Sequence, residues 1–234
     1  MENISQIKKT SIWIFVLPVI ALNLCLFISV NHHLFEETIF SVDQGGRTGF
    51  TIPYIDGSVS ISRTARTYPT YLIFKPAMIL TAFLVIKYWL ANNKLIGIFS
   101  EDYKRRYFLI FGVGSAIFLI LHSIFLGIKF DYDLYKFFRR FVILGFIIFE
   151  IIAQALLVVS IYKLKEKIDK FINKKILILK IILVFILAIT AFGSIPFLIS
   201  SGYTHFKHAL EWNYFIGVVL FYLLSFLFWK KVQS

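Results

Sequence analysis

Residues 107–128 read YFLIFGVGSAIFLILHSIFLGI, a run without Asp, Glu, Lys or Arg. Its length meets the ~20 apolar residues that a helix needs to cross ~30 Å of hydrocarbon. Outward from it, residues 12–30 form a second uncharged run, and 72–91, 141–162, 176–200 and 209–229 form four more. Lys75 and Lys87 lie within about a turn of the ends of the 72–91 run, where a lysine stem can carry its ammonium to the headgroups. The runs are too continuously apolar for strands of period two, which argues against a β-barrel. An all-α fold is expected, a single domain over 1–234 built as a polytopic bundle of six membrane helices.

Composition agrees. Hydrophobic residues make up 59% of the 234, against roughly 45–50% in a soluble domain, which excludes a soluble enzyme, a secreted disulfide scaffold and a disordered tail. The single cysteine, Cys25, falls in the first run and has no partner for an intramolecular disulfide. The net charge of +12 does not point to nucleic acid, because the basic residues flank membrane runs instead of forming a patch. The cluster from Lys163, Lys165 and Lys167 onward reads as contact with anionic lipid at the cytoplasmic face, ~1 kcal/mol per charge near the surface.

Basic residues in short loops set orientation. One side carries Lys8, Lys9, Lys94, Lys104, Arg105, Arg106, Lys163, Lys165, Lys167, Lys170, Lys174, Lys175, Lys230 and Lys231. The other carries Arg47, Arg63, Arg66, Lys129, Lys136, Arg139, Arg140 and Lys207. The excess on the first side predicts cytoplasmic termini. The first run is longer than a signal-peptide core and lacks a small-residue cleavage pattern after it, so an uncleaved helix is expected. The chain reads as a multi-pass integral membrane protein of a plasma, inner, Golgi or ER membrane.

The one long connection is residues 31–71, on the outer side. Loops of this length are usually functional or disordered. It contains a turn at Asp56-Gly57, after which Val59 and Ile61 alternate with Ser58, Ser60 and Ser62, as in a short extended segment packed over the outer mouth of the bundle. No repeat of helix pairs is visible, which weakens an inverted-repeat transporter reading.

Polar residues at membrane depth are costly unless they face protein or water. Arg139, Ile143, Phe146, Glu150 and Gln154 fall on one helical stripe that runs inward from the outer headgroups and should face the bundle interior. Glu150 is a candidate general acid or base, or else a packing carboxyl. All five histidines lie in the outer half. His122 shares a face with Ser115, and His205, His208 and Glu211 are spaced by three, which permits a proton-transfer cluster. Two histidines at this spacing are a weak metal signal, and no metal is expected. Arg63, Arg66, Arg139 and Arg140 suit a lipid phosphate, or pair with the acidic residues on their own side. Asp56, Ser58 and Ser60 mark the outer loop, but the chain lacks a nucleophile elbow, a P-loop and a dinucleotide fingerprint, so no cofactor is expected. Tyr88, Trp89, Trp212 and Tyr214 read as interfacial belts.

The order of these features resembles the Frag/DRAM/Sfk family, closest to the GPI lipid-remodelling proteins and the amino-terminal membrane domain of the Cwh cell-wall proteins. The likeness is carried by Pro53 through Ser62, Arg66 and Pro69, by Tyr88-Trp89, and by Ala209-Leu-Glu211-Trp-Asn-Tyr214. It implies six helices and a role in lipid remodelling or membrane lipid organisation, without supplying a catalytic set. Here Tyr-Ile-Asp-Gly separates Pro53 from the serines, and the outer loop lacks the cysteines of some relatives. Three functions follow as expectations. The first is binding or remodelling of lipid at the outer leaflet, with Glu150, His122, His208 and Glu211 around a polar pocket and the arginines on the headgroup. The second is a non-enzymatic organiser of lipid or protein partners, and the third a proton-coupled transporter using Glu150 and His122.

Overall fold

The computed structural model describes residues 2–41, 51–99, 107–128, 133–200 and 202–230. It is 85% helical, and no strand occurs among the described residues. Six helices are long and apolar enough to cross a membrane. They are α1 (Glu2–Val30), α4 (Thr70–Phe99), α5 (Tyr107–Phe125), α6 (Asp133–Lys163), α7 (Lys174–Ile199) and α8 (Thr204–Phe228), with two short helices, α2 (Pro53–Asp56) and α3 (Ile61–Arg66), before α4. α4 and α6 overrun their apolar runs at both ends, and α1, α7 and α8 at the start, because helical hydrogen bonding continues where hydropathy falls, while α5 stops three residues short of its run.

The long helices close a ring. Each packs on its sequence neighbour, from α4 through α5, α6 and α7 to α8, while α1 packs on both α4 and α8 and so joins first to last. Small residues allow close approach at these seams. Gly112 of α5 lies against the Trp89 indole of α4, and between α5 and α6 Gly114 faces Phe149 while Gly145 faces Phe118. Hydroxyls inside the ring bond the carbonyl one turn back, as Thr81 does to Ala77 (2.8 Å) and Ser123 to Leu119 (2.7 Å), which satisfies them within their own helices. α7 is the outlier: Ile182, Phe185, Ile186, Ile189 and Phe192 all look outward.

One end of the ring, here the terminal end, is tied by the chain after α8. Asn173 N donates to Phe228 O and Lys230 N to Phe171 O, both at 2.9 Å. The other, the loop end, is covered by α2 and α3. Residues 58–62, expected as an extended segment, are instead a bend at Val59 followed by the start of α3. Ser60 is the N-cap of that helix and accepts from Arg63 N at 3.2 Å, so the Ser/Val/Ile alternation comes from a cap and not from a strand. α2 starts with Pro53 in its first turn and ends on Gly57 in the left-handed region (φ 58°), the usual asymmetry of a short helix. The expected position over the mouth is correct: α3 packs on α1, α4 and α8, and α2 on α8.

Candidate functional site: a chamber in the helix ring

The ring surrounds a chamber whose empty space, with the open solvent at its mouth included, is about 880 Å³. Most of its wall is hydrocarbon, including Leu22 of α1, Met78 and Val85 of α4, Leu119 of α5, Phe146 of α6 and Val218 of α8, and Ile61 of α3 closes it at the loop end. Three acid-base side chains reach this wall: His122 from α5, Glu150 from α6 and Glu211 from α8.

Glu150 is 1% exposed, so the stripe from Ile143 to Gln154 does face inward. Its carboxyl is held on three sides. Tyr222 donates its hydroxyl to Oε1, Gln154 Nε2 donates to the same oxygen at 3.0 Å, and Ser115 Oγ lies 2.6 Å from Oε2. With Tyr222 and Gln154 donating and Ser115, whose single proton is also within reach of Gly112 O at 2.8 Å, on its other oxygen, the carboxyl is fixed in direction. The ring of His122 makes no hydrogen bond among the described residues, which makes it the wall group available to a ligand. It lies between the chamber and a small crevice lined by Phe138, Arg139 and Val142.

Glu211 has a second task. It accepts from the backbone N–H of Ser62 at 3.3 Å, satisfying a donor that the first turn of α3 leaves unpaired. Its neighbours on α8 hold the same cover. His205 Nδ1 and His208 Nδ1 both approach the Gly57 carbonyl, at 3.3 and 3.0 Å. Trp212 Nε1 donates to Val59 O (2.9 Å), Asn213 Nδ2 to Tyr54 O (2.7 Å), and the Tyr54 ring meets Trp212 edge-on at 5.0 Å. The first three turns of α8 thus clamp residues 54–62. His208 belongs to this clamp and does not line the chamber. No group of three His, Cys, Asp or Glu able to hold a metal ion occurs among the described residues.

The outer-loop residues are structural as placed. Asp56 accepts from Ser58 N (2.7 Å), Ile52 N (2.9 Å) and the Thr51 hydroxyl (3.2 Å). Partial burial works against its charge, but these hydrogen bonds, those from Ser58 first, hold its carboxyl down at about 2. Arg63 and Arg66 are exposed on α3, and Arg139 is half-buried at the same end of the bundle. Neither Arg63 nor Arg66 is ion-paired with Glu36, Glu37 or Asp56; among the described residues the ion pair is Lys174–Asp169 (2.8 Å). The side chain of Arg140 lies outside the described residues.

Lys180 is the residue that the sequence reading passed over. Five positions after Lys175, it looks like one more interfacial lysine, yet it is 1% exposed and turned onto α8. Only the packing of α7 on α8 turns it inward.

The chain matches no family model, and it has no match among curated proteins or solved structures.

Proposed function

We propose that this multi-pass membrane protein binds a lipid, taking a hydrocarbon chain into the chamber and leaving the headgroup at the loop end, which is the outer or lumenal face if the termini are cytoplasmic. The carrying observation is the wall itself: nearly all hydrocarbon, with His122, Glu150 and Glu211 as its only acid-base groups besides tyrosine. Binding sites of this kind use apolar walls for affinity and a few placed polar groups for orientation. Arg63, Arg66 and Arg139 are at the end where a phosphate would sit, and Arg63 and Arg66 have no acidic partner among the described residues. The basic residues at the terminal end suit anionic lipid on the opposite leaflet.

This reading agrees with the resemblance to the Frag/DRAM/Sfk family. The two segments that carry that likeness, Pro53 to Ser62 and Ala209 to Tyr214, meet each other in the clamp. Acyl transfer or hydrolysis is a second reading, favoured by the unbonded imidazole of His122 on the chamber wall, which could serve as general base.

The test is photolabelling of the protein in lipid nanodiscs with a phospholipid carrying a diazirine in its acyl chain. Adducts at Met78, Leu119 and Val218, lost when Met78→Trp fills the chamber, are expected. Adducts confined to the outward residues of α7, such as Phe185 and Phe192, would rule the reading out. Acyl release that disappears in His122→Ala would convert binding into catalysis.

A further inference from the structure

Within their apolar runs α1 and α8 each carry an asparagine at an exposed position that does not line the chamber, Asn23 and Asn213. Asn23 lies roughly 10 Å inside the loop end of α1, counted back from Val30, and Asn213 roughly 6 Å beyond Ala209, where the last apolar run begins, at 1.5 Å per residue. An amide turned to hydrocarbon at such depths is costly unless protein covers it. Each bonds the carbonyl one turn back in its own helix, Asn23 Nδ2 to Val19 O at 2.8 Å and Asn213 Nδ2 to Ala209 O at 2.9 Å. One residue of the cover then reaches both. Tyr54 of α2 accepts from Asn213 Nδ2 at its carbonyl (2.7 Å) and donates its hydroxyl to Asn23 Oδ1 (3.4 Å), with its ring edge-on to Trp212.

Tyr54 therefore holds α2 against the outside of the α1–α8 seam, below the loop-side ends of both helices. The polar groups of this turn are provided for, as a place beside acyl chains requires. Pro53 has no N–H, Ile52 N donates to Asp56 Oδ2 at 2.9 Å, and Gly57 N donates to Pro53 O at 3.2 Å. Asp56 also takes Ser58 N and the Thr51 hydroxyl. It adjoins Gly57, whose carbonyl meets His205 and His208 in the first turns of α8. α2 thus slopes from headgroup level at Gly57 down toward the acyl chains at Tyr54. Its other two large side chains are left uncovered, Ile55 at 80% exposure and Ile52 at 39%. They continue the outward apolar surface that Ile20, Leu24 and Phe27 of α1 form around Asn23.

We propose that α2 is a membrane contact in its own right: residues 51–57 are sunk into the leaflet at the loop end, seal the α1–α8 seam from its outer side, and present Ile52 and Ile55 to lipid acyl chains. In water the two isoleucines would be uncovered beside an ionised carboxylate. At the boundary of headgroups and acyl chains the same arrangement is satisfied on both sides, with the apolar side chains in hydrocarbon and the Thr51, Asp56 and Ser58 cluster toward the headgroups. The cover is then held by α8 on one flank and by bilayer lipid on the other. This contact is independent of what the chamber holds.

Spin labelling of the full chain in phosphatidylcholine nanodiscs tests this. The native thiol, Cys25, is buried, so a nitroxide reagent attaches to an introduced cysteine. In Ile55→Cys, oxygen, which concentrates among acyl chains, should relax the label more strongly than a water-soluble nickel chelate does. At Glu36→Cys, an exposed site beyond the end of α1, the order should reverse. Nickel chelate relaxing the label at position 55 as strongly as at position 36 overturns the proposal, because α2 would then face water or a soluble partner. If Ile55→Cys does not fold, Ile52→Cys is read by the same comparison, and a label there that favours the chelate overturns the proposal equally.

Discussion

Gly112 of α5 lies against the face of the Trp89 indole so closely that a Cβ at position 112 would overlap the ring. Trp89 is wholly buried, contacts Phe108 and Tyr88, and stands next to the Tyr222 hydroxyl. A methyl group on Gly112 therefore has to move the largest side chain in the core. Gly112→Ala should destabilise the fold by about 1–3 kcal/mol, the usual cost of overpacking. Gly193 of α7 has open space around it, so Gly193→Ala should be neutral or stabilising by up to about 1 kcal/mol through helix propensity. Unfolding in mixed micelles followed by tryptophan fluorescence distinguishes the two.

Gly57 is constrained twice. Its φ of 58° is in the left-handed region, and a Cβ would overlap the carbonyl oxygen of His205. Gly57→Ala should release residues 54–62 from the start of α8 while leaving the six long helices formed. Hydrogen exchange resolved by peptide should show faster exchange over 54–66 and little change in α4 to α6; equal loss of protection throughout would contradict the clamp.

Acid should loosen the same cover. The Asp56 carboxyl is held at about 2 in the folded chain, against an ordinary value of 3.8. A depressed folded value means that this group stabilises the fold above pH 4 and that its contribution is lost as pH falls from about 4 to 2. Asp56→Asn should abolish that pH dependence. Limited proteolysis of the 51–60 segment across this window is the measurement.

Glu150→Leu leaves the Tyr222 hydroxyl without its acceptor, while Ser115 keeps Gly112 O and Gln154 keeps Val218 O; Glu150→Gln retains a carbonyl oxygen for Tyr222. The leucine variant should be about 1–3 kcal/mol less stable than the glutamine variant, the cost of leaving a buried donor unpaired. Parallel thermal melts in the same detergent give the difference.

The contrast between Glu150 and Lys180 shows what sequence could and could not disclose. Glu150 sits mid-run, far from either surface, so its cost alone marks it, and the stripe from Arg139 to Gln154 gives its direction. Lys180 sits one and a half turns into its helix, where snorkelling toward the surface and insertion into the core predict the same residue. Only the packing of α7 on α8 separates the two. Similarly, Ser58 to Ser62 alternate as an edge strand would, while the helix they begin depends on a cap hydrogen bond that periodicity does not register. The joining of His205, His208, Glu211, Trp212 and Asn213 to one short segment could not be read either. Their spacing placed them on adjacent helical positions but did not indicate what lay opposite.

Because α1 touches both α4 and α8, the chamber lacks a wall until the last helix of the chain has been laid against the first. During synthesis the nascent bundle is therefore an open trough in the bilayer.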